Sequence, residues 1–285
     1  MKNSMTLQIG DILDSAYRLN QNSVWAFDNF KVNEGQQKEL IFRSNVAEKL
    51  TDDCMREIIH HHSVDVMDRE VKRWIKDIPE NGWILDVGGC CAWHWRNLHL
   101  DRPDLNVIVV DMVEANFQQA LKLCGGQINR NIHLVVGDAT ALKIRSESID
   151  GYWSVQCLQH IPDLDKALFE ATRVLKNNGK FKTYDLNYRK SEKFLFRLLG
   201  KERVYGKIVQ TENIFIRRSS REVDGIFRKY FSTLNIGYSE FLFKPRCGLK
   251  YGVRSIRGLA DSMLTNIKIL AFLARQHSIA ARKNQ

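Results

Sequence analysis

The stretch WILDVGGCCAW, residues 83–93, decides the fold. The apolar run from Trp83 to Val87 passes into two glycines and a set of small side chains, which reads as a strand ending in a tight turn. Backbone N–H groups in such a turn can come close to an anionic ligand group. Downstream the pattern repeats. Apolar runs at Val107 to Val110, Ile132 to Val136, Gly151 to Val155 and Lys180 to Asp185 predict strands, while Trp93 to Leu100, Ala115 to Leu123 and Asp165 to Leu175 predict helices. Strands separated by helices imply right-handed crossovers, so the expected core is α/β: a doubly wound, mostly parallel sheet covered on both faces.

Upstream of this core, residues 36 to 78 read as helical, with Leu40, Ile41, Leu50, Met55, Ile58, Ile59, Val66, Val71 and Trp74 set among charges. The whole chain has 285 residues, 44% apolar and 27% charged, which excludes a disordered or low-complexity protein. Six cysteines without a C-x-x-C pair or zinc spacing suggest a reduced, cytosolic setting and no metal site. The N-terminus lacks the basic head and apolar block of a signal peptide, and no apolar run approaches the roughly 20 residues of a membrane span. The net charge of +10 is uneven. From Lys176 onward there are 24 Lys+Arg against 8 Asp+Glu, or +16, leaving −6 for the rest. That third of the chain attracts anionic partners, or is a solvated surface that aids solubility.

In a doubly wound sheet, ligands sit beyond the carboxyl ends of the strands. After the first strand come Asp86, Gly88 and Gly89; after the second comes Asp111, 25 residues beyond Asp86; after the third come Asp138 and Ala139. A carboxylate at the second tip can accept both hydroxyls of a ribose, and one at the third can receive an exocyclic amine. Taken singly, the glycines are also common in tight turns and the aspartates common as helix caps. Their order within one α/β run points to a nucleoside pocket.

From Trp83 to Asn187 the sequence resembles the class I S-adenosylmethionine-dependent methyltransferases, particularly the small-molecule branch that includes the ubiquinone and menaquinone methyltransferases. The first motif is WILDVGG, the second is Val109 to Met112, and the residues from Val135 to Asn187 follow the rest of the family core. The resemblance implies a Rossmann-like seven-stranded sheet in a domain over 81–285. A helical lid would occupy residues 1–80 and a helical, substrate-side insertion about 188–275. It implies S-adenosylmethionine as cofactor. Asp86 and Gly88, with Gly89, would shape the loop around the methionine part, and Asp111 would take the ribose hydroxyls. Met112 would lie on the adenine, Asp138 with Ala139 would read its edge, and backbone at Ser154 and Val155 would face the methionine amino group. One departure stands out: Cys90 and Ala92 occupy positions where the family usually has glycine. Neither residue enters positive φ as cheaply, so weaker cofactor binding is an expectation.

Methyl transfer to a hydroxyl needs a group to take its proton, and His160 just past the fourth strand is the candidate, with His94, His62 and Asp185 behind it. Packing under the loop is the other reading of His160. The run His60 to His62 spreads its rings around a helix, which suits a solvated end better than a chelating face. Residues 255 to 275 place Ile256, Leu259, Met263, Leu264, Ile267, Leu270, Ala271 and Ala274 on one helical stripe flanked by Arg254, Arg257, Lys268 and Arg275. Such a helix packs on its own domain or lies on an anionic membrane surface. The final HSIAARKN resembles the family's last strand.

The leading expectation is therefore O-methylation of an anionic small molecule, glycan or lipid-linked saccharide by a cytoplasmic enzyme with possible contact to the inner membrane face. Methylation of a quinone-type lipid, RNA methylation, and a regulatory protein that binds the cofactor without turnover are the alternatives.

Overall fold

The computed structural model describes residues 7–28, 30, 32, 34–48, 62–187, 216, 218–241, 256–265 and 267–284. Its strands are β1 (Arg18–Leu19), β2 (Val24–Ala26), β3 (Trp83–Val87), β4 (Asn106–Asp111), β5 (Ile132–Val136), β6 (Ile149–Val155), β7 (Leu175–Leu186), β8 (Leu234–Ser239) and β9 (Gln276–Arg282). They form one sheet in the order β1-β2-β5-β4-β3-β6-β7-β9-β8. The strands from β2 to β7 run parallel; β1 and β9 are antiparallel to their neighbours. The helices are α1 (Ile9–Ile12), α2 (Glu34–Glu48), α3 (His62–Trp74), α4 (Leu98–Asp101), α5 (Phe117–Cys124), α6 (Leu164–Val174), α7 (Ser220–Phe227) and α8 (Ile256–Leu264).

Alternation along the strands builds a core on each face of the sheet, as a side-chain period of two requires. From β3, Trp83, Leu85 and Val87 join Tyr152, Phe181 and the helical residues Leu168, Ala171 and Phe227 on one side. Ile84 turns to the other side, with Val107, Val109, Trp153 and Tyr184, against Met67 and Val71 of α3 and Phe117 and Ala120 of α5. Tyr152 stacks on Phe181 at 4.8 Å between ring centroids, and Trp153 lies between Trp74 and Tyr184 on the opposite face. α6 starts where Asp163 accepts from the Lys166 N–H, a side-chain cap that satisfies one free donor of the first turn.

Register places the strand tips level. Val87 pairs with Val110 and Ser154, Asp111 with Val136, and Val155 with Tyr184. The loops that leave β3, β4, β5 and β6 therefore emerge side by side at one edge.

Five expectations need correction. The sheet has nine strands among the described residues rather than seven, because the hairpin β1–β2 from the first 30 residues extends it beyond β5. Residues 1–80 are therefore not a helical lid alone, and Ile12, Leu13 and Tyr17 lie in the core. The segment 188–275 is not purely an insertion, since α7 and β8 within it belong to the sheet layer. Trp93 to Leu100 is one 3-10 turn, Trp93–Trp95, followed by the short α4: with Trp93 and Trp95 both buried and Ala92 left-handed at φ 55°, no continuous helix starts there. Nor is 255 to 275 one helix; α8 ends at Leu264 and a 3-10 stretch, Lys268–Leu273, follows.

Candidate active site

A cavity of about 350 Å³ lies at the carboxyl edge over β3, β4, β5 and β6, the size of a small-molecule site. Its wall includes Gly88, Cys90, Asp111, Met112, Asp138, Ala139, Val155, Gln159 and His160, and α2 closes it with Gln36, Arg43 and Ala47. Of the residues singled out in the sequence, Gly88, Asp111, Met112, Asp138, Ala139, Val155 and His160 thus meet in one place.

The loop after β3 is shaped by left-handed backbone at three alternate residues: Gly88 at φ 72°, Cys90 at 47° and Ala92 at 55°. Gly88 has no substitute here, because a Cβ would stand 2.4 Å from both Cβ and Sγ of Cys157. Cys90 and Ala92 hold the conformation glycine would hold, at a cost of about 1 kcal/mol each for an L side chain. The turn survives the departure from the family pattern.

Asp111 ties this loop to its own. One carboxylate oxygen accepts from the Val113 N–H at 2.9 Å and the Asn116 side chain at 3.2 Å, while the other accepts from the Cys90 N–H at 3.1 Å. Burial pushes its carboxyl above the usual range, and those donors pull it back. Asp138 accepts from Thr140 through both N–H and hydroxyl, at 2.8 and 2.9 Å, and from the Gln36 side chain at 2.8 Å.

Asp86, Gly89 and Ser154 stand behind the wall rather than in it. Asp86, 1% exposed, accepts from the Trp95 indole at 2.7 Å, and Gly89 sits directly above it, since a Cβ there would lie 2.4 Å from Asp86 Oδ2. The Ser154 hydroxyl donates to the Val87 carbonyl, bracing β6 against β3. Asp86 and Gly89 shape the loop from behind, and of Ser154 and Val155 only Val155 lines the cavity.

Nε2 of His160 lies 2.8 Å from Arg43 Nη2. A guanidinium only donates, so the ring nitrogen facing it is an acceptor. His160 is therefore placed at the mouth of the cavity with that lone pair already engaged. His94 lies instead beside the Asp68 carboxylate at 3.3 Å and against Trp153. Asp185 is turned toward a separate cavity of about 30 Å³, where it accepts from the Thr183 hydroxyl and the Gln159 N–H; burial raises its carboxyl. The side chains of the histidine run at 60–62 lie outside the described residues.

Sequence reasoning missed Gln36, Arg43 and Asn116. Gln36 and Arg43 reach the site only through the packing of α2 against strand tips about 100 residues away, for which the sequence carries no local signal. Asn116, at the start of α5 and five residues past Asp111, was within reach of the same strand-tip reasoning.

An S-adenosylmethionine molecule fits this donor set. A half-buried carboxylate at the β4 tip suits vicinal hydroxyls, a second one at β5 suits an amine, and the β3 loop has left-handed turns and glycines where side chains would intrude.

Comparison with known proteins agrees with that geometry. A family model described as "Methyltransferase domain" matches residues 85–182. The ubiquinone/menaquinone biosynthesis C-methyltransferase of Rickettsia bellii is 32% identical over 171 residues, covering 57% of this chain and 66% of that protein. Its counterpart in Methylobacterium nodulans is 32% identical over 99 residues, 34% of this chain and 39% of that protein. The chain thus spans less than two thirds of the length of these curated relatives. The crystal structure of an S-adenosylmethionine-dependent methyltransferase from Thermotoga maritima superposes with a TM-score of 0.55 at 18% identity, over 84% of this chain and 99% of that one, which establishes the shared fold. Over residues 85–182, then, the chain matches a methyltransferase domain; it resembles the ubiquinone and menaquinone C-methyltransferases in sequence and shares the fold of S-adenosylmethionine-dependent methyltransferases.

Proposed function

We propose that the 350 Å³ cavity binds S-adenosylmethionine and that the chain directs its methyl group to a carbon of a small phenolic or quinol-type acceptor entering beside Arg43 and His160. When bound, the cofactor supplies a methyl group activated by a positive sulfonium, to be taken in a direct displacement. Asp111 holds the ribose, Asp138 and Ala139 meet the adenine, and α2 shields both from water through Gln36.

The observation that carries the acceptor reading is the Arg43–His160 contact. A phenol becomes a carbon nucleophile only as its phenolate, whose negative charge spreads onto the ring carbons. A guanidinium in the cavity wall stabilises that oxyanion. His160 accepts the phenolic proton once Arg43 turns from its Nε2 to the phenolate oxygen, so the two residues exchange partners as the acceptor ionises. The new bond is methyl to ring carbon, the broken one is methyl to sulfur, and the ring proton leaves to solvent as aromaticity returns. The curated relatives are named as C-methyltransferases of quinone biosynthesis, which favours this reading.

O-methylation of an anionic or glycan acceptor is the second reading. It is favoured by the +16 charge of the C-terminal third, and it uses the same residues, with the oxygen itself as nucleophile.

Calorimetry with S-adenosylmethionine tests the first half. Asp111→Ala removes two charge-assisted bonds to the ribose and weakens binding by about 100-fold or more. No binding to the unaltered protein defeats the proposal. Labelled methyl transfer to a reduced naphthoquinol and to an acidic sugar, with the product analysed for carbon or oxygen attachment, distinguishes the acceptors.

A further inference from the structure

Gln159 engages each of its polar groups. Its N–H donates to the Asp185 carboxylate at 3.3 Å, and its carbonyl accepts from the Ile216 N–H at 2.9 Å. The side-chain Oε1 accepts from the Leu186 N–H at 2.7 Å. The two hydrogens on Nε2 meet two acceptors, the Gln156 carbonyl at 3.4 Å and Nε2 of His160 at 3.2 Å. The residue is 8% exposed and stands between the main cavity and the smaller one beside Asp185.

The partners settle which end of the amide faces His160. Turning the amide over would set its nitrogen 2.7 Å from the Leu186 nitrogen, donor against donor. The nitrogen therefore points at the ring. Amide and guanidinium nitrogens only donate, so Nε2 of His160 receives from two sides, from Gln159 and from Arg43. A neutral ring held in this way carries its proton on Nδ1, because the bond at one nitrogen decides the state of the other.

Of these two donors, only Gln159 is anchored in the sheet. Leu186 ends β7 and pairs with Gln276 of β9, so the amide is fixed to a backbone that is itself paired. The Arg218 guanidinium donates to the Ile161 carbonyl at 2.8 Å and to that of Pro162, which holds the far side of the same turn. Among the charged groups nearby, Arg43 from α2 touches the ring, Asp111 and Asp138 lie elsewhere in the cavity wall, and Asp185 and Arg218 line the smaller cavity with Gln159.

We infer that Gln159 is a positioning residue: it fixes the direction and tautomer of His160, so that Nε2 remains an acceptor when Arg43 turns to the oxyanion of the methyl acceptor. The catalytic part of this role rests on the function proposed above; the state of the ring does not. The phenolic proton moves from oxygen to Nε2, displacing the 3.2 Å contact, and the imidazolium then faces an amide N–H. That opposition favours release of the proton to solvent and a neutral base for the next turnover.

Nitrogen NMR of the full chain, labelled in its histidine rings, tests this, with the His160 signals identified by their loss in His160→Asn. At about pH 8, where an ordinary histidine is neutral, the His160 proton should sit on Nδ1. It should stay there in Arg43→Met, which removes the other donor at a half-buried position. A proton on Nε2 in either protein overturns the inference. Gln159→Glu keeps an acceptor for the Leu186 N–H and sets a second oxygen against the ring, so it should move the proton to Nε2 and raise the midpoint of His160 by about one pH unit or more. An unchanged midpoint also overturns it. In labelled transfer to a reduced naphthoquinol, Gln159→Leu should lower kcat about tenfold while the acceptor KM and S-adenosylhomocysteine binding stay within about twofold. A raised KM with kcat intact refutes the positioning role. Absence of transfer by the unaltered protein counts against the proposed function, and the tautomer then decides the role of Gln159 by itself.

Discussion

Replacing Asp86 by Asn removes a carboxylate that the fold keeps almost wholly from water. Its side chain is 1% exposed and accepts from the Trp95 indole, and burial pushes its pKa from the ordinary 3.8 to about 6 even though His94 and Trp95 pull it down. The folded protein therefore holds this proton more tightly than the unfolded chain. Below pH 3.8 both states carry it and no difference arises. Between 3.8 and 6 the unfolded chain gives it up first, so stability falls as pH rises; above 6 the loss is complete. At 1.36 kcal/mol per unit the loss comes to about 3 kcal/mol, undiscounted because the group is buried. Asn is neutral throughout and accepts from the indole much as the protonated acid does. The Asn variant should thus match the wild type near pH 4, where Asp86 is protonated in the folded protein, and be more stable by about 3 kcal/mol above pH 6. Other buried carboxylates such as Asp111 and Asp185 bend both curves alike, so the informative quantity is the difference between them. Urea midpoints taken from pH 4 to 8 should nearly coincide at pH 4 and separate as pH rises, by about 1 M at the neutral end. A difference that stays constant over that range would refute the reasoning.

Gly88→Ala should destabilise the protein by about 2–4 kcal/mol in urea titration, since its Cβ meets Cys157 at 2.4 Å in left-handed backbone; adding Cys157→Gly should recover part of the loss. Cys90→Gly should leave stability within about 1 kcal/mol of wild type, relief at φ 47° offsetting the greater freedom of the unfolded chain, whereas the β-branched Cys90→Val should cost more than about 2 kcal/mol. The same unfolding assay separates the two.

The centre of the sheet was legible because each of its strands is a compact apolar run followed by a turn or a helix. β5 begins and ends where the sequence places it, and β3 likewise. The edges were not. Arg18–Leu19 is two residues with no period to detect, and Val24–Ala26 adds only three; β8 reads LNIGYS, with Asn and Gly inside it. These strands exist because neighbours offer free backbone groups, a tertiary reason. In the site, the residues contributed by strand tips could be read in order, whereas Gln36 and Arg43 arrive from α2 in a stretch whose pattern shows only a helix. Burial set Asp86 and Ser154 behind the cavity wall: a strand-tip position in the sequence does not tell which side of the loop a side chain takes.

The hairpin at the N-terminal side has a practical consequence for shortened versions of the protein. Val24 and Trp25 pair with Leu134 and Val135, sealing a strand whose five residues are all buried. Trimming the chain back to the stretch that matches the methyltransferase family, 85–182, would strip that cover and present IHLVV as an open ladder to other molecules, the geometry from which intermolecular sheets grow. Such a fragment should be recovered from cells as insoluble material, so the smallest usable version of this protein begins before Arg18.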